Sequence, residues 1–121
     1  SVRPKPTMSR DRAALLDIVR AARRVLEFTA GLDRARFLKN YLVQSAILHQ
    51  FMVMGEAVKR VSDETRAEHP EIPWKTIAGM RDKLIHDYNE VDLHQVWEAV
   101  TRQIPALLER LEPLAPKRSE D

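Results

Sequence analysis

The chain has 121 residues, enough to enclose one hydrophobic core and too few for two domains. With 44% apolar residues, 31% charged residues and three glycines, its balance suits amphipathic helices, and it contains nothing like the roughly 20-residue apolar run of a membrane span. A formal net charge of +2 excludes a pervasive attraction to nucleic acid, while the lack of cysteine excludes disulfides and thiolate metal sites and fits a reducing cytoplasm.

Residues 1–7, SVRPKPT, are polar with two prolines and read as a disordered lead-in or an expression remnant. The domain is expected to span residues 8–114, leaving 115–121 as a polar tail. Ser9 is the expected N-cap of a first helix, because Leu15, Ile18, Val19, Ala22, Leu26 and Thr29 fall on one helical face. Arg12, Arg20, Arg23 and Arg24 lie largely off that stripe and read as a solvated face, and Gly31 supplies the left-handed stop. Asp33 then caps a second helix whose apolar positions, from Phe37 and Tyr41 through Gly55 to Val61, continue for some thirty residues without a proline. Its apolar surface is broad enough to be buried on several sides, by its own bundle and by a second copy of the chain.

The stretch from Ser62 to Pro73 is charged and carries Pro70 and Pro73, so it reads as a loop. Pro73 can begin a third helix at no cost in hydrogen bonds, giving an element from about Trp74 to His86. Asp92 and Gln95 resemble a capping box for a fourth helix, which continues through Val96, Val100, Ile104, Leu107, Leu108 and Leu111. Pro105 interrupts it, and the missing N–H predicts a kink or two shorter helices in line. The expected architecture is all-α, an antiparallel bundle of four main helices that pairs with a second copy. Strand-like alternation and internal repeats are absent.

Chemistry concentrates in Arg81 to Tyr88, RDKLIHDY, at the end of the third helix. Asp82 and His86 are four residues apart, so the carboxylate can orient the imidazole, and the negative helix end favours a cation beside it. Arg81 stands about 140° around the helix from His86 and reaches it only by its length, by distortion at the helix end, or across two chains. A two-fold axis near this helix would bring two histidines and two arginines to one cleft suited to a phosphodiester. The structural alternative is that His86 and Arg81 are ordinary helix-end residues and Tyr88 a core residue with its hydroxyl at the surface. His49, His69 and His94 form no zinc pattern, and there is no Gly-rich phosphate loop and no G-x-S-x-G, so neither metal nor cofactor is expected.

Arg81, His86 and Tyr88 fit R-x-x-x-x-H-x-Y, which resembles the signature of HepT-like proteins of the HEPN superfamily. The likeness extends to RDRAALLDIVRAARRVLEFTAGLD, MGEAVKRVSDETRAEHPEIPWKTIAGMRDKLIHDY and VDLHQVWEAV, covering roughly Met8 to Leu114. It implies a helical bundle forming a homodimer with the motif in the dimer cleft. It also implies a metal-independent ribonuclease toxin acting on RNA such as tRNA or mRNA, and a minimal nucleotidyltransferase antitoxin that can adenylylate Tyr88. Family members often carry glycine after the histidine and an aromatic residue after the tyrosine, whereas this chain has Asp87 and Asn89, adding negative charge beside the site.

On this reading His86 acts as general base or acid on a ribose phosphodiester, Arg81 steadies the transition state, Asp82 orients His86, and Tyr88 positions RNA or carries a modification that repels it. Two rivals remain: a non-catalytic docking module for a nucleotidyltransferase, with the motif binding a nucleotide, and a chain whose Tyr88 is simply an acceptor of nucleotidyl groups.

Overall fold

The computed structural model describes residues 6–115, with side chains from Ser9 onward; expectations for residues 1–5 and 116–121 lie outside the described residues. Among the described residues the chain is helical and contains no strand. Helix α1 spans Pro6–Thr29 and buries Ala14, Leu15, Ile18, Val19, Ala21, Ala22 and Val25 along one face. It starts three residues before Ser9, so Ser9 is an interior residue and not the N-cap. Proline is tolerated in a first turn, where its missing N–H has no helical partner to lose. The helix stops at Gly31, whose φ of 78° is the left-handed position the sequence anticipates.

The expected thirty-residue second helix is two elements. Asp33 caps the short α2, Arg34–Phe37, by accepting the Arg36 N–H at 2.9 Å. The chain then breaks and restarts as α3, Tyr41–Lys59, where Asn40 Oδ1 accepts the Val43 N–H at 3.0 Å. The apolar pattern crosses this break unaltered because Phe37 remains fully buried, its ring tilted against Trp97 with centroids 5.1 Å apart.

 
Phe37 thus serves the same core from α2 that a continuous helix would have served, and only the backbone between Leu38 and Asn40 changes course. Tyr41 and Leu42, counted in the sequence among the apolar positions of this helix, stand exposed at its start.

The stretch from Ser62 to Pro73 is also more than a loop. It holds helix α4, Asp63–Glu68, capped by Ser62 Oγ accepting the Thr65 N–H at 3.1 Å. Helix α5 follows as Trp74–Asp87, close to the expected bounds, with Pro73 as the residue just before it. A single 3₁₀ turn, Tyr88–Glu90, leads to α6, Leu93–Glu98, where Asp92 Oδ1 accepts the His94 and Gln95 N–H groups. The last helical run is two α-helices in line, as one of the two expectations for Pro105 had it, joined without a gap in the helix. Residues Ala99–Gln103 form a π turn, in which the Ile104 N–H reaches back to the Ala99 carbonyl, and α7, Ile104–Leu111, continues directly from it. The wider turn absorbs the proline's missing donor within the helix.

Polar contacts fix how these helices run. Asp11, near the start of α1, meets Ser62 and Thr65 just beyond the end of α3, so α1 and α3 are antiparallel. Arg34 pairs with Glu98, while Arg23 pairs with Glu112, which sets the α6 to α7 run antiparallel to α1. The core between them is built from Ile18, Ile47, Met54, Val58, Ile77, Ile104 and Leu111, all fully or nearly fully buried. No described helix is long and apolar enough to cross a membrane.

Asp11 is 5% exposed and accepts hydrogen bonds from the Ser62 N–H at 2.8 Å, the Ser62 hydroxyl at 2.7 Å and the Thr65 hydroxyl. Burial alone would raise its pKa, but the bonds from Thr65 and Ser62, with Arg66 nearby, outweigh burial and hold the carboxyl below its ordinary value. Asp11→Ala is expected to destabilise the fold by about 1–3 kcal/mol at neutral pH, because three part-buried donors lose their acceptor. A carboxyl whose folded pKa is lowered adds stability above its unfolded pKa of about 3.9, and that stability is lost as pH falls through the folded value. Thermal melts of the parent and Asp11→Asn should therefore show a gap near neutral pH that narrows as pH drops below about 4.

Candidate functional site

The site is assembled where α5 crosses α3. The closest approach of the two helices is at Gly55, whose lack of a side chain admits the stem of Arg81. A Cβ at position 55 would overlap the Cβ of Arg81 and lie 3.1 Å from its backbone N and 3.2 Å from its Cα. The sequence placed Gly55 among the apolar positions of its helix, and the structure gives it this more particular task. Arg81 is consequently fixed at its base before any charge is considered.

Its guanidinium is held at the other end. Nη1 donates to Asp82 Oδ1 at 3.1 Å, and Nη2 lies 3.2 Å from Glu56 Oε1. Nε is buried without a hydrogen-bond partner among the described residues, so the head group offers its Nη side to the surface. The Arg81 side chain is 28% exposed, against 50% for each of the two carboxylates.

Asp82 is held by two cations. Its Oδ1 accepts from Lys59 Nζ at 2.8 Å as well as from Arg81, and no hydrogen bond to His86 is among its described contacts. The i, i+4 spacing set Asp82 and His86 on neighbouring parts of one face, but a flexible carboxylate prefers the two nearby cations. The Lys59 hydrogen bond first, and the Arg81 bond second, hold the Asp82 carboxyl below its ordinary pKa, so it stays ionised well into the acid range. Asp82 thus joins Arg81 to Lys59, and its expected contact with His86 is not among its described ones.

His86 and Tyr88 are exposed at the end of α5 and beyond it, and among the described contacts neither side chain makes a hydrogen bond or ion pair. The helix places His86 about 140° around from Arg81, so one chain does not bring the imidazole and the guanidinium onto one face. Asp87 and Glu90 are exposed beside them. No group of three or more His, Asp or Glu side chains among the described residues could hold a metal ion.

Glu56 and Lys59 escaped sequence reasoning, although a signal was present. They are the only Glu and the only Lys in the nineteen residues of α3, which contains no Asp or Arg. Charges so isolated in an otherwise apolar helix mark where it meets a polar partner. A second feature lies on another face of α5. A cavity of about 390 Å³ is bounded by Leu48 and Phe51 of α3, Met80 and Leu84 of α5, and Val96 and Ala99 of the last helical run.

Comparison with known proteins bears on the same residues. The family described as Ribonuclease HepT-like matches residues 18–114, which include the whole of α5. A protein of Thermococcus cleftensis named "Probable ribonuclease HepT" is 39% identical over 100 residues, covering 83% of this chain and 91% of the relative. A "Putative RNase" of Methanocaldococcus jannaschii is 38% identical over 103 residues, covering 85% and 89%. Another of the same description, from Caldanaerobacter subterraneus subsp. tengcongensis, is 34% identical over 110 residues, covering 91% and 98%. No solved structure matches the chain.

The contact at Gly55 gives a paired test of the crossing. Gly55→Ala is expected to destabilise the chain by about 1–3 kcal/mol through overpacking against Arg81. Gly79→Ala, on α5 with no atom within 4 Å of an added Cβ, should instead stabilise it by about 0.5–1 kcal/mol through helix propensity. Thermal or urea denaturation of the two variants beside the parent measures both shifts.

Proposed function

The chain belongs to the Ribonuclease HepT-like family, and from that premise we propose that it is a metal-independent endoribonuclease whose reaction is carried by His86 and Arg81. The observation that carries this reading is the fixed, partly exposed guanidinium of Arg81 on the same helix as an exposed imidazole with no competing hydrogen bond. A guanidinium set in this way can stabilise the charge that builds on a phosphate during transfer.

In the proposed reaction an imidazole takes the proton of the ribose 2′-hydroxyl, and the 2′-oxygen attacks the adjacent phosphorus. The bond to the 5′-oxygen breaks as that oxygen receives a proton from a second imidazole, leaving a 2′,3′-cyclic phosphate and a 5′-hydroxyl. Arg81 grips the non-bridging oxygens throughout. Two imidazoles and a shared phosphate call for two chains, since Arg81 and His86 point to different sides of one helix. A homodimer is supported by the exposed apolar side chains Tyr41, Leu42, Ile85 and Tyr88. Leu48 lining one cavity with Leu84 and Val91 supports their lying toward the same end of the molecule, where α3 begins and α5 ends.

The same reading makes the chain the toxin of a two-component system with a minimal nucleotidyltransferase as antitoxin. Tyr88 is half exposed and its hydroxyl has no described hydrogen bond, so it is open to adenylylation. A phosphate-bearing group there would add negative charge beside Arg81 and repel RNA. A second reading, a docking module for that nucleotidyltransferase without nuclease activity, is favoured by Asp87 and Glu90, which add negative charge where RNA would enter.

Incubation of the purified chain with total RNA in chelator separates the two readings. Cleavage with cyclic-phosphate ends is expected, and His86→Ala should lower the rate by roughly 10²- to 10⁴-fold with an unchanged melting curve. A variant that cuts as fast as the parent removes His86 from the mechanism. Intact-mass analysis after coexpression with a minimal nucleotidyltransferase should show added adenylyl mass on the parent and none on Tyr88→Phe.

A further inference from the structure

We propose that Glu56 of α3 is a positioning residue for Arg81, setting the guanidinium in the orientation from which it meets the scissile phosphate. This rests on the reading of Arg81 as the phosphate-gripping group. It adds that half of the apparatus holding that group comes from outside the motif helix.

An unrestrained arginine side chain samples many rotamers, and each one lost on binding weakens the grip. Here the stem is immobilised against Gly55, where the backbone leaves no space for it to swing toward α3. Glu56, the next residue along, takes Nη2 at 3.2 Å, and Asp82 takes Nη1 at 3.1 Å. Asp82 is itself held by Lys59 Nζ at 2.8 Å, so α3 acts on the guanidinium twice, directly through Glu56 and indirectly through Lys59. Gly55, Glu56 and Lys59 occupy little more than one turn of α3, which makes that turn a template for the arginine.

Each Nη nitrogen carries two protons, and one carboxylate contact on each leaves further N–H groups for phosphate oxygens. The carboxylates can therefore hold the head group while it still donates to substrate. The contact is too exposed to contribute much to folding, since both carboxylate side chains are 50% exposed. Its worth would lie in geometry, where misplacement of a reacting group by about 1 Å can cost 10²-fold in rate.

The test uses the full chain and two readouts. In RNA cleavage, Glu56→Ala is expected to lower kcat by roughly ten- to a hundredfold with KM changed much less, as for a misaligned transition-state contact. Glu56→Gln keeps an oxygen that can accept from Nη2 and should recover most of that loss. In an Arg81→Ala background, Glu56→Ala should add little, because the two residues act as a unit. Independently of activity, the Arg81 Nε–H signal in NMR, assigned by its disappearance in Arg81→Lys, should be sharp in the parent and broadened in Glu56→Ala. Unchanged kcat in Glu56→Ala, a rise in activity, or additive losses with Arg81→Ala would overturn the proposal. If the parent cuts no RNA, the nuclease reading fails by itself and the NMR signal decides: dependence on Glu56 supports the positioning role, and independence overturns it.

Discussion

The contact between Gly55 and Arg81 is the constraint on which the site depends. A helix crossing this close is possible only where one partner has no side chain, and the residue seated there is the arginine on which the proposed chemistry relies. Packing sets the base of Arg81 with the low compliance of a protein interior, while hydrogen bonds at a half-exposed surface set its tip. The two kinds of force divide the task. Close packing fixes where the side chain begins, and charge fixes where it ends.

That division also shows how the proposed phosphate contact would need no broad basic surface on a chain with a net charge of +2. Glu56 and Asp82 balance Arg81 and Lys59, so the cluster is nearly neutral, and its value for recognition is in donor geometry more than in long-range attraction. The arginines of α1 are used differently. Arg23 pairs with Glu112, while Arg12 and Arg24 are exposed on a face that the core does not need.

Much of the fold was legible because it is governed by short-range rules. The apolar spacing of α1, the left-handed Gly31, the Asp33 cap, the start of α5 after Pro73 and the Asp92 cap are all decided within a few residues. What the sequence hid depends on partners distant along the chain. The break before Asn40 leaves the apolar pattern intact, so periodicity passes over it. Asp11 looks like one more charge on α1 until Ser62 and Thr65 close over it. Arg81, His86 and Tyr88 were singled out by their crowding in eight residues and by the resemblance of their pattern to a family signature, but the holders of Arg81 were not, because no arithmetic within one helix reveals what a neighbouring helix presents. The contact of Asp82 with Lys59 was hidden for the same reason, since it is made across helices.

The π turn ahead of Pro105 has a consequence for the order in which the molecule is made. By carrying the helix past the proline, it delivers Arg110 to the Glu71 carbonyl and Glu112 to Arg23, spanning 39 and 89 positions of sequence. Those clasps join the last described helix to the first and to the approach to α5, and they can form only after Arg110 and Glu112 have been synthesised. Helices completed earlier during synthesis must wait for them, so the final closing of the bundle is a late event rather than a gradual one.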